Sequence, residues 1–317
     1  MRNNGFLIDL KVFQFLISNA PFLFWQANQL GDGRAILLGE YVNESGQRLE
    51  LQLKGAGRTP YSRFGDGRAV LRSSVREFLC SEAMQALGVP TSRAASLIVT
   101  PDTVMRDIFY NGNAKPEKCA VVLRIASTWF RIGSLEILAK KGETKELQQL
   151  MDYILETHFS HVKQPDKEEW ILAMFAHIVD ATAHLVAQWM SVGFTHGVLN
   201  TDNLSLASIT IDYGPFGFLD AYDPNFVPNH SDDGGRYDYE SQPGICLWNL
   251  GRLAVALTPL LSCKFHCVPN TDAVKSSSSL KAQCLTNTWE FLIYKVMRLF
   301  LVAFQQCVKA CLVACER

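Results

Sequence analysis

Three oxygen-bearing side chains near the middle of the chain have the types and spacing to handle a metal-bound phosphate. Asp202 and Asn203 are adjacent, and Asp212 follows in Asp212-Tyr213-Gly214. Carboxylate and amide oxygens are the hard ligands that Mg2+ takes when it bridges phosphates. A carboxylate beside such a site can also take the proton of an attacking hydroxyl. Asn and Asp are common turn formers in loops, so the joint spacing from His196 to Asp212 carries the signal, not any one residue.

The segment His196-Gly197-Val198-Leu199-Asn200-Thr201-Asp202-Asn203 has the length of a protein-kinase catalytic loop, His-Arg-Asp-x-x-x-x-Asn. His196 and Asn203 keep the spacing. The position of the kinase base is Val198, which cannot accept a proton. Asp202 restores a carboxylate four residues later, next to Asn203. The pattern predicts a nucleotide and metal site arranged unlike that of an ordinary kinase.

Further candidates lie upstream. Lys54 ends an apolar strand pattern and Glu77 lies on the next helix pattern, which suggests a Lys–Glu pair set against phosphate. Glu82 on the same helix competes for that role. Gly31-Asp32-Gly33-Arg34 and Asp66-Gly67-Arg68 offer small residues that let backbone N–H groups approach phosphate, and arginines that grip it. Alone, each also reads as an ordinary turn. Arg124 and Arg131 flank Ser127-Thr128-Trp129-Phe130. Arg124 stands among Val121, Val122, Leu123 and Ile125, so its charge needs a partner.

These residues require elements to hold them. Ala35–Val42 and Arg48–Leu53 flank Asn43-Glu44-Ser45-Gly46 and predict a β-hairpin. Ser74 to Leu87 predicts a helix closed by Gly88. Leu97–Thr100, Val104–Tyr110 and Ala120–Ile125 predict strands. Beyond them, Lys145–Phe159, with Thr144 as N-cap, Glu168–Val192 and part of Gln242–Leu261 predict helices. Ser208–Asp212 and Gly217–Leu219 read as short strands around Asp212-Tyr213-Gly214. The division is an atypical segment 1–28, a β-rich lobe 29–126, a mainly helical lobe 127–261 and a Cys-rich tail 262–317.

Composition bounds the rest. The chain has 317 residues, 48% of them hydrophobic, and a net charge of −1, which suits a two-lobed globular protein without a general electrostatic pull toward nucleic acid. Nine cysteines with no clear secretory signal fit a reducing compartment better than a disulfide framework. Phe6 to Trp25 and Phe291 to Cys315 are apolar but interrupted by charges, so no stable membrane span is expected. Asp220, Asp223, His230, Asp232 and Asp233 match no metal spacing and read as a polar loop. Cys263-Lys264-Phe265-His266-Cys267 lacks the second matched pair of a zinc site.

Gln29-Leu30-Gly31-Asp32-Gly33-Arg34, Leu51-Gln52-Leu53-Lys54-Gly55 and Tyr61 to Arg68, with His196–Asn203, Ile211–Asp220 and Asp223–Asn229, resemble the selenoprotein O family. The resemblance covers roughly Gln29 to Leu261. It implies an α+β, protein-kinase-like (pseudokinase) two-lobe fold. It also implies ATP bound in a flipped orientation and AMP transferred to Ser, Thr or Tyr hydroxyls of proteins. On that resemblance Gly31, Gly33, Arg34, Lys54, Asp66, Gly67, Arg124, Arg131 and Asp212 contact ATP, and Glu77 partners Lys54. Asp202 is the proton acceptor, while Asn203 and Asp212 bind Mg2+, with Mn2+ as a substitute. The family location is mitochondrial or otherwise organellar in eukaryotes and cytoplasmic in bacteria. The chain departs from the family pattern upstream of Gln29 and downstream of Leu261, which predicts altered ends and an incomplete helical lobe. A non-catalytic nucleotide-binding module and a phosphoryl-transferring kinase are the alternatives.

Overall fold

Strand alternation decides what the cleft receives. In a strand, residues two apart share a face, so Glu50, Gln52 and Lys54 project together from Arg48–Lys54. All three are buried. This strand, β2, pairs antiparallel with β1 (Ala35–Val42) on one side and β5 (Lys115–Ala126) on the other. Gln52 lies opposite Arg124 and Lys54 opposite Val122, which puts Arg124 on the same face as Lys54. The computed structural model describes residues 33–108 and 111–261, and a few positions between 300 and 306. Gly31, the N-terminal apolar stretch, the serine run 276–279 and the Cys263–Cys267 cluster lie outside the described residues.

β5 is the hub of the sheet. β2 and the short β3 (Ala69–Val70) line one edge of it, and β4 (Arg93–Arg106) takes the other. The two strands expected at Leu97–Thr100 and Val104–Tyr110 are one long strand whose pairing shifts between Val99 and Thr103. Helix α1 (Leu71–Ala86) packs on the buried face. It stops at Leu87 and Gly88, and Gly88 takes the left-handed φ of +76° that glycine adopts without strain. Away from the cleft, Ile36, Tyr41 and Ile98 are exposed among the described residues.

The second lobe is helical. α2 (Ile132–Lys141), α3 (Thr144–His158), α4 (Lys167–Ser191) and α5 (Gln242–Leu257) enclose one apolar core. Thr144 is the first helical residue of α3 and Glu143 the cap, one position off the expectation. Asp166 caps α4 by accepting from the backbone of Glu168 and Glu169. α4 is long and apolar enough to cross a bilayer, yet most of its apolar side chains are core. Phe300 is fully buried in the same core, with Phe304 packed against it. β6 (Phe194–Thr195) and β7 (Gly217–Phe218) form a two-stranded ribbon that brackets the loop carrying the candidate residues.

Two expectations need correction. No strand forms over Ser208–Asp212. Thr210 makes one bridge to Thr91, its N–H and carbonyl going to Pro90 and Ser92, and Asp212 then turns to a φ of +56°. Helix α2 was not anticipated. Ser134 Oγ, three residues into it, accepts from the Arg131 N–H, a capping pattern that starts from an unusual residue type.

Candidate functional site

Between the lobes lies an open cavity of about 500 Å3. Gly33, Arg34, Lys54, Asp66, Gly67 and Arg124 reach it from the β-rich lobe, and Arg131, Val198, Asp202, Asn203 and Asp212 from the helical lobe. Every described residue expected to contact ATP, metal or the hydroxyl proton lines this space, and Glu77 lies behind Lys54.

At the back of the cavity the charges close into a ring. Lys54 Nζ lies 2.7 Å from Glu77 Oε2 and 3.1 Å from Asp212 Oδ1. Arg124 Nη1 lies 3.2 Å from Glu77 Oε1 and 2.7 Å from Asp212 Oδ1. Two cations and two anions thus alternate, from four different segments of chain. Arg131 Nη2 adds a third cation at Asp212 Oδ2, 3.1 Å away. Glu82, the competing partner, is occupied elsewhere, pairing with Arg93 at 2.7 Å and accepting from Ala94 N.

Burial sharpens these interactions. It pushes the Asp212 pKa up, but Lys54, Arg124 and Arg131 outweigh it and hold the carboxyl well below its usual range. Burial pushes the Lys54 ammonium down, against the pull of Glu77 and Asp212. Arg124 is 1% exposed. Its Nη2 donates to Gln52 Oε1, and its guanidinium lies 4.3 Å from the Trp129 ring centroid. Gln52 was not singled out from sequence, though a polar residue two before Lys54 on the same strand face is a readable signal.

The mouth is built from interlocked loops. Gly57 N–H donates to the Gly67 carbonyl, and Ala56 bridges Arg68. Gly67 has a φ of +71°, and a Cβ there would overlap the Gly57 carbonyl, so this crossing requires glycine. Asp66 is held by Arg106 through both oxygens, at 2.7 and 2.8 Å, which brings its pKa down to about 2. Nothing in the sequence marks Arg106, which is forty residues away in sequence and joined only by the fold. Ser62 Oγ donates to the Gly33 carbonyl and ties this loop to the Gly33-Arg34 turn.

The loop 196–203 hangs from the helical core by neutral groups. His196 N–H donates to Gln242 Oε1, and its Nε2 pairs with the Ile211 carbonyl at 3.0 Å. Burial pushes the imidazole pKa down, so it stays neutral. Asn249 Nδ2 donates to the Leu199 carbonyl, and Asn229 Nδ2 to the Gly197 carbonyl. Gly133 N–H donates to the Thr201 carbonyl, which sets Asp202 against the start of α2. His196 is a scaffold and not a reacting group.

The donor set fits a hard divalent cation that also binds phosphate. Asn203 Nδ2 donates to the Val198 carbonyl, which leaves its Oδ1 as the acceptor end, and Asp212 supplies a carboxylate. Among the described residues no group of three His, Cys, Asp or Glu side chains could hold a metal by itself. Mg2+ sites commonly complete their shell with substrate phosphates and water. The polar loop 220–233 makes turns: Asp223 accepts from Asn225 N, and Asp232 from Arg236 N and Tyr237 N.

Residues 21–308 match the family described as protein adenylyltransferase SelO. The chain belongs to the SelO family. The match extends past the Gln29–Leu261 span at both ends. Among SelO relatives, a protein nucleotidyltransferase YdiU from Methylobacillus flagellatus is 48% identical over 290 residues, covering 91% of this chain and 54% of that protein. A mouse protein named protein adenylyltransferase SelO, mitochondrial, is 52% identical over 251 residues, covering 74% of this chain and 38% of its own length. The chain therefore spans about half or less of the length of these relatives. A solved structure of ROP2 from Toxoplasma gondii, described as a protein-kinase fold without enzymatic activity, matches with a TM-score of 0.36 at 12% identity, over 93% of this chain and 91% of that one. The β-rich lobe with its Lys54–Glu77 pair, and the helical lobe that supplies Asp212 to that pair, are the α+β kinase-like layout that SelO membership predicts.

Proposed function

We propose that the chain transfers AMP from ATP to Ser, Thr or Tyr hydroxyls of proteins and releases pyrophosphate. The observation that carries this reading is the cleft chemistry. Arg34, Lys54, Arg68, Arg106 and Arg124 line one side of a space whose other wall holds Arg131, Asp202, Asn203 and Asp212, with Val198 where a kinase keeps its base. A cation-rich pocket suits a triphosphate. The SelO relatives' names supply the reaction class.

In this reading the protein hydroxyl oxygen bonds to the α-phosphorus as the bond from that phosphorus to the β-bridging oxygen breaks. Pyrophosphate leaves with the bonding electrons, and the hydroxyl proton passes to Asp202. Lys54 and Arg131 neutralise the departing phosphates, and Gly33, Arg34 and the Asp66-Gly67 neck position them. Arg124 is committed to Glu77, Asp212 and Gln52, so it acts chiefly by fixing Asp212. Mg2+ or Mn2+ held by Asn203 and Asp212 would screen phosphate charge. A eukaryotic source would place the protein in mitochondria, as the mouse relative's name does; a bacterial source would place it in the cytoplasm.

Intact-protein mass spectrometry after incubation with ATP and Mg2+, with a panel of candidate protein acceptors, tests the reading. Addition of AMP to the chain or an acceptor, lost in Asp212→Ala, is the expected result. Addition of phosphate would establish a kinase instead. ATP binding with neither product on any acceptor would establish a nucleotide-binding module.

A further inference from the structure

Arg131 touches both carboxylates on which the proposed chemistry depends. Its main chain is pinned, the N–H to Ser134 Oγ and a β-bridge to Ser205. Its guanidinium lies across the site. Nη2 donates to Asp212 Oδ2 at 3.1 Å, and Nη1 is 4.0 Å from Asp202 Oδ1. Meanwhile Asp212 Oδ1 accepts from Lys54 at 3.1 Å and Arg124 at 2.7 Å.

An ionised carboxylate offers about four lone-pair sites. Three cations address those of Asp212: Lys54 and Arg124 share Oδ1, and Arg131 faces Oδ2. Lys54 and Arg124 are also bound to Glu77, and Arg124 is further held by Gln52 and Trp129. They belong to the standing frame of the site. Arg131 is bonded instead to the oxygen that a metal would need. A triphosphate carries several negative charges and offers a guanidinium paired acceptors, so it outcompetes one carboxylate oxygen for Arg131.

We propose that Arg131 masks Asp212 and Asp202 until nucleotide arrives, and that the triphosphate draws its guanidinium away so that the metal enters with the nucleotide and not before it. This rests on the adenylyltransferase reading for the identity of the polyphosphate and the metal. The nucleotide-free site then holds a low-affinity metal ligand and an engaged base.

The experiment measures Mn2+ binding by electron paramagnetic resonance, with and without α,β-methylene-ATP, which does not undergo the transfer. The proteins are wild type, Arg131→Gln, Arg131→Lys and Arg34→Gln, each checked for folding by circular dichroism. Arg34 lines the same cavity but makes no bond to Asp212 among the described residues, so it controls for loss of one positive charge. Without nucleotide, Arg131→Gln should bind Mn2+ about ten-fold more tightly than wild type, and Arg34→Gln should change by less than about two-fold. Arg131→Lys, which keeps the charge but not the fork, should fall between them. A gain of affinity from removing a site residue is the opposite of what general damage produces. If Arg131→Gln gains nothing, or Arg34→Gln gains as much, masking is wrong while the adenylyltransferase reading stands. If wild type takes up no Mn2+ beyond that held by free analogue, the metal-dependent reading falls and masking falls with it.

Discussion

Glu77 and Glu82 lie on different faces of α1, and the same substitution should have unequal effects at the two. Glu77 is 4% exposed and holds Lys54 and Arg124, one on each carboxylate oxygen. Glu77→Gln leaves two buried cations sharing Asp212 with Arg131. Breaking a buried pair by removing one partner costs about 3–5 kcal/mol. At roughly 2–4 °C per kcal/mol, Tm should fall by about 6–20 °C. Glu82 pairs with an Arg93 side chain that is 49% exposed, and its own side chain is 34% exposed. Exposed pairs of this kind contribute about 0–1 kcal/mol, so Glu82→Gln should lie within about 1 kcal/mol of wild type. Urea unfolding followed by far-ultraviolet circular dichroism gives both values, provided the m-value is unchanged. The double variant Glu77→Leu/Arg124→Leu removes an anion and a cation together and should be less damaged than the sum of its parts. Equal small losses at Glu77 and Glu82 would refute the ring as a coupled unit.

Asp202→Asn should cut AMP transfer by about 10²–10⁴-fold and leave the Kd for an ATP analogue within about three-fold; retained transfer would remove Asp202 as proton acceptor. Gly67→Ala forces a Cβ into the Gly57 carbonyl at a left-handed φ, and overpacking with that backbone strain should cost about 2 kcal/mol or more, read as a lower Cm together with weaker ATP binding. His158 is pushed from 6.5 down to about 4 by burial, with Arg48 adding to the shift, and its Nε2 lies 4.0 Å from Glu50 Oε1. Its contribution is complete above pH 6.5 and is lost as pH falls from 6.5 through 4, up to about 3 kcal/mol. His158→Phe should flatten that part of the stability–pH curve, and an unchanged slope would place the acid sensitivity elsewhere.

Much of the site can be read from sequence because its residues sit at fixed offsets within single elements. Lys54 follows from its place at the end of a strand pattern, and Asn203 from its distance to His196. The choice between Glu77 and Glu82 could not be made that way. Both lie on α1, and only the packing of that helix on the sheet brings one to Lys54 and the other to Arg93. The clamp of Asp66 by Arg106 and the shared grip of Arg124 on Glu77 and Asp212 join residues 40, 47 and 88 apart. Such contacts have no period. The false strand at Ser208–Asp212 had the composition of a strand, but its pairing stops at one bridge from Thr210 to Thr91 and Asp212 then turns to a left-handed φ. Helix α2 went unseen because Arg131 is not a residue that announces a helix start.

The pegs of loop 196–203 share one property: none changes charge in the physiological range. Gln242, Asn249 and Asn229 are amides, and His196 is kept uncharged by burial. A frame of this kind is blind to proton concentration. A bell or a step in the rate against pH at or above neutrality would then not arise from these four pegs.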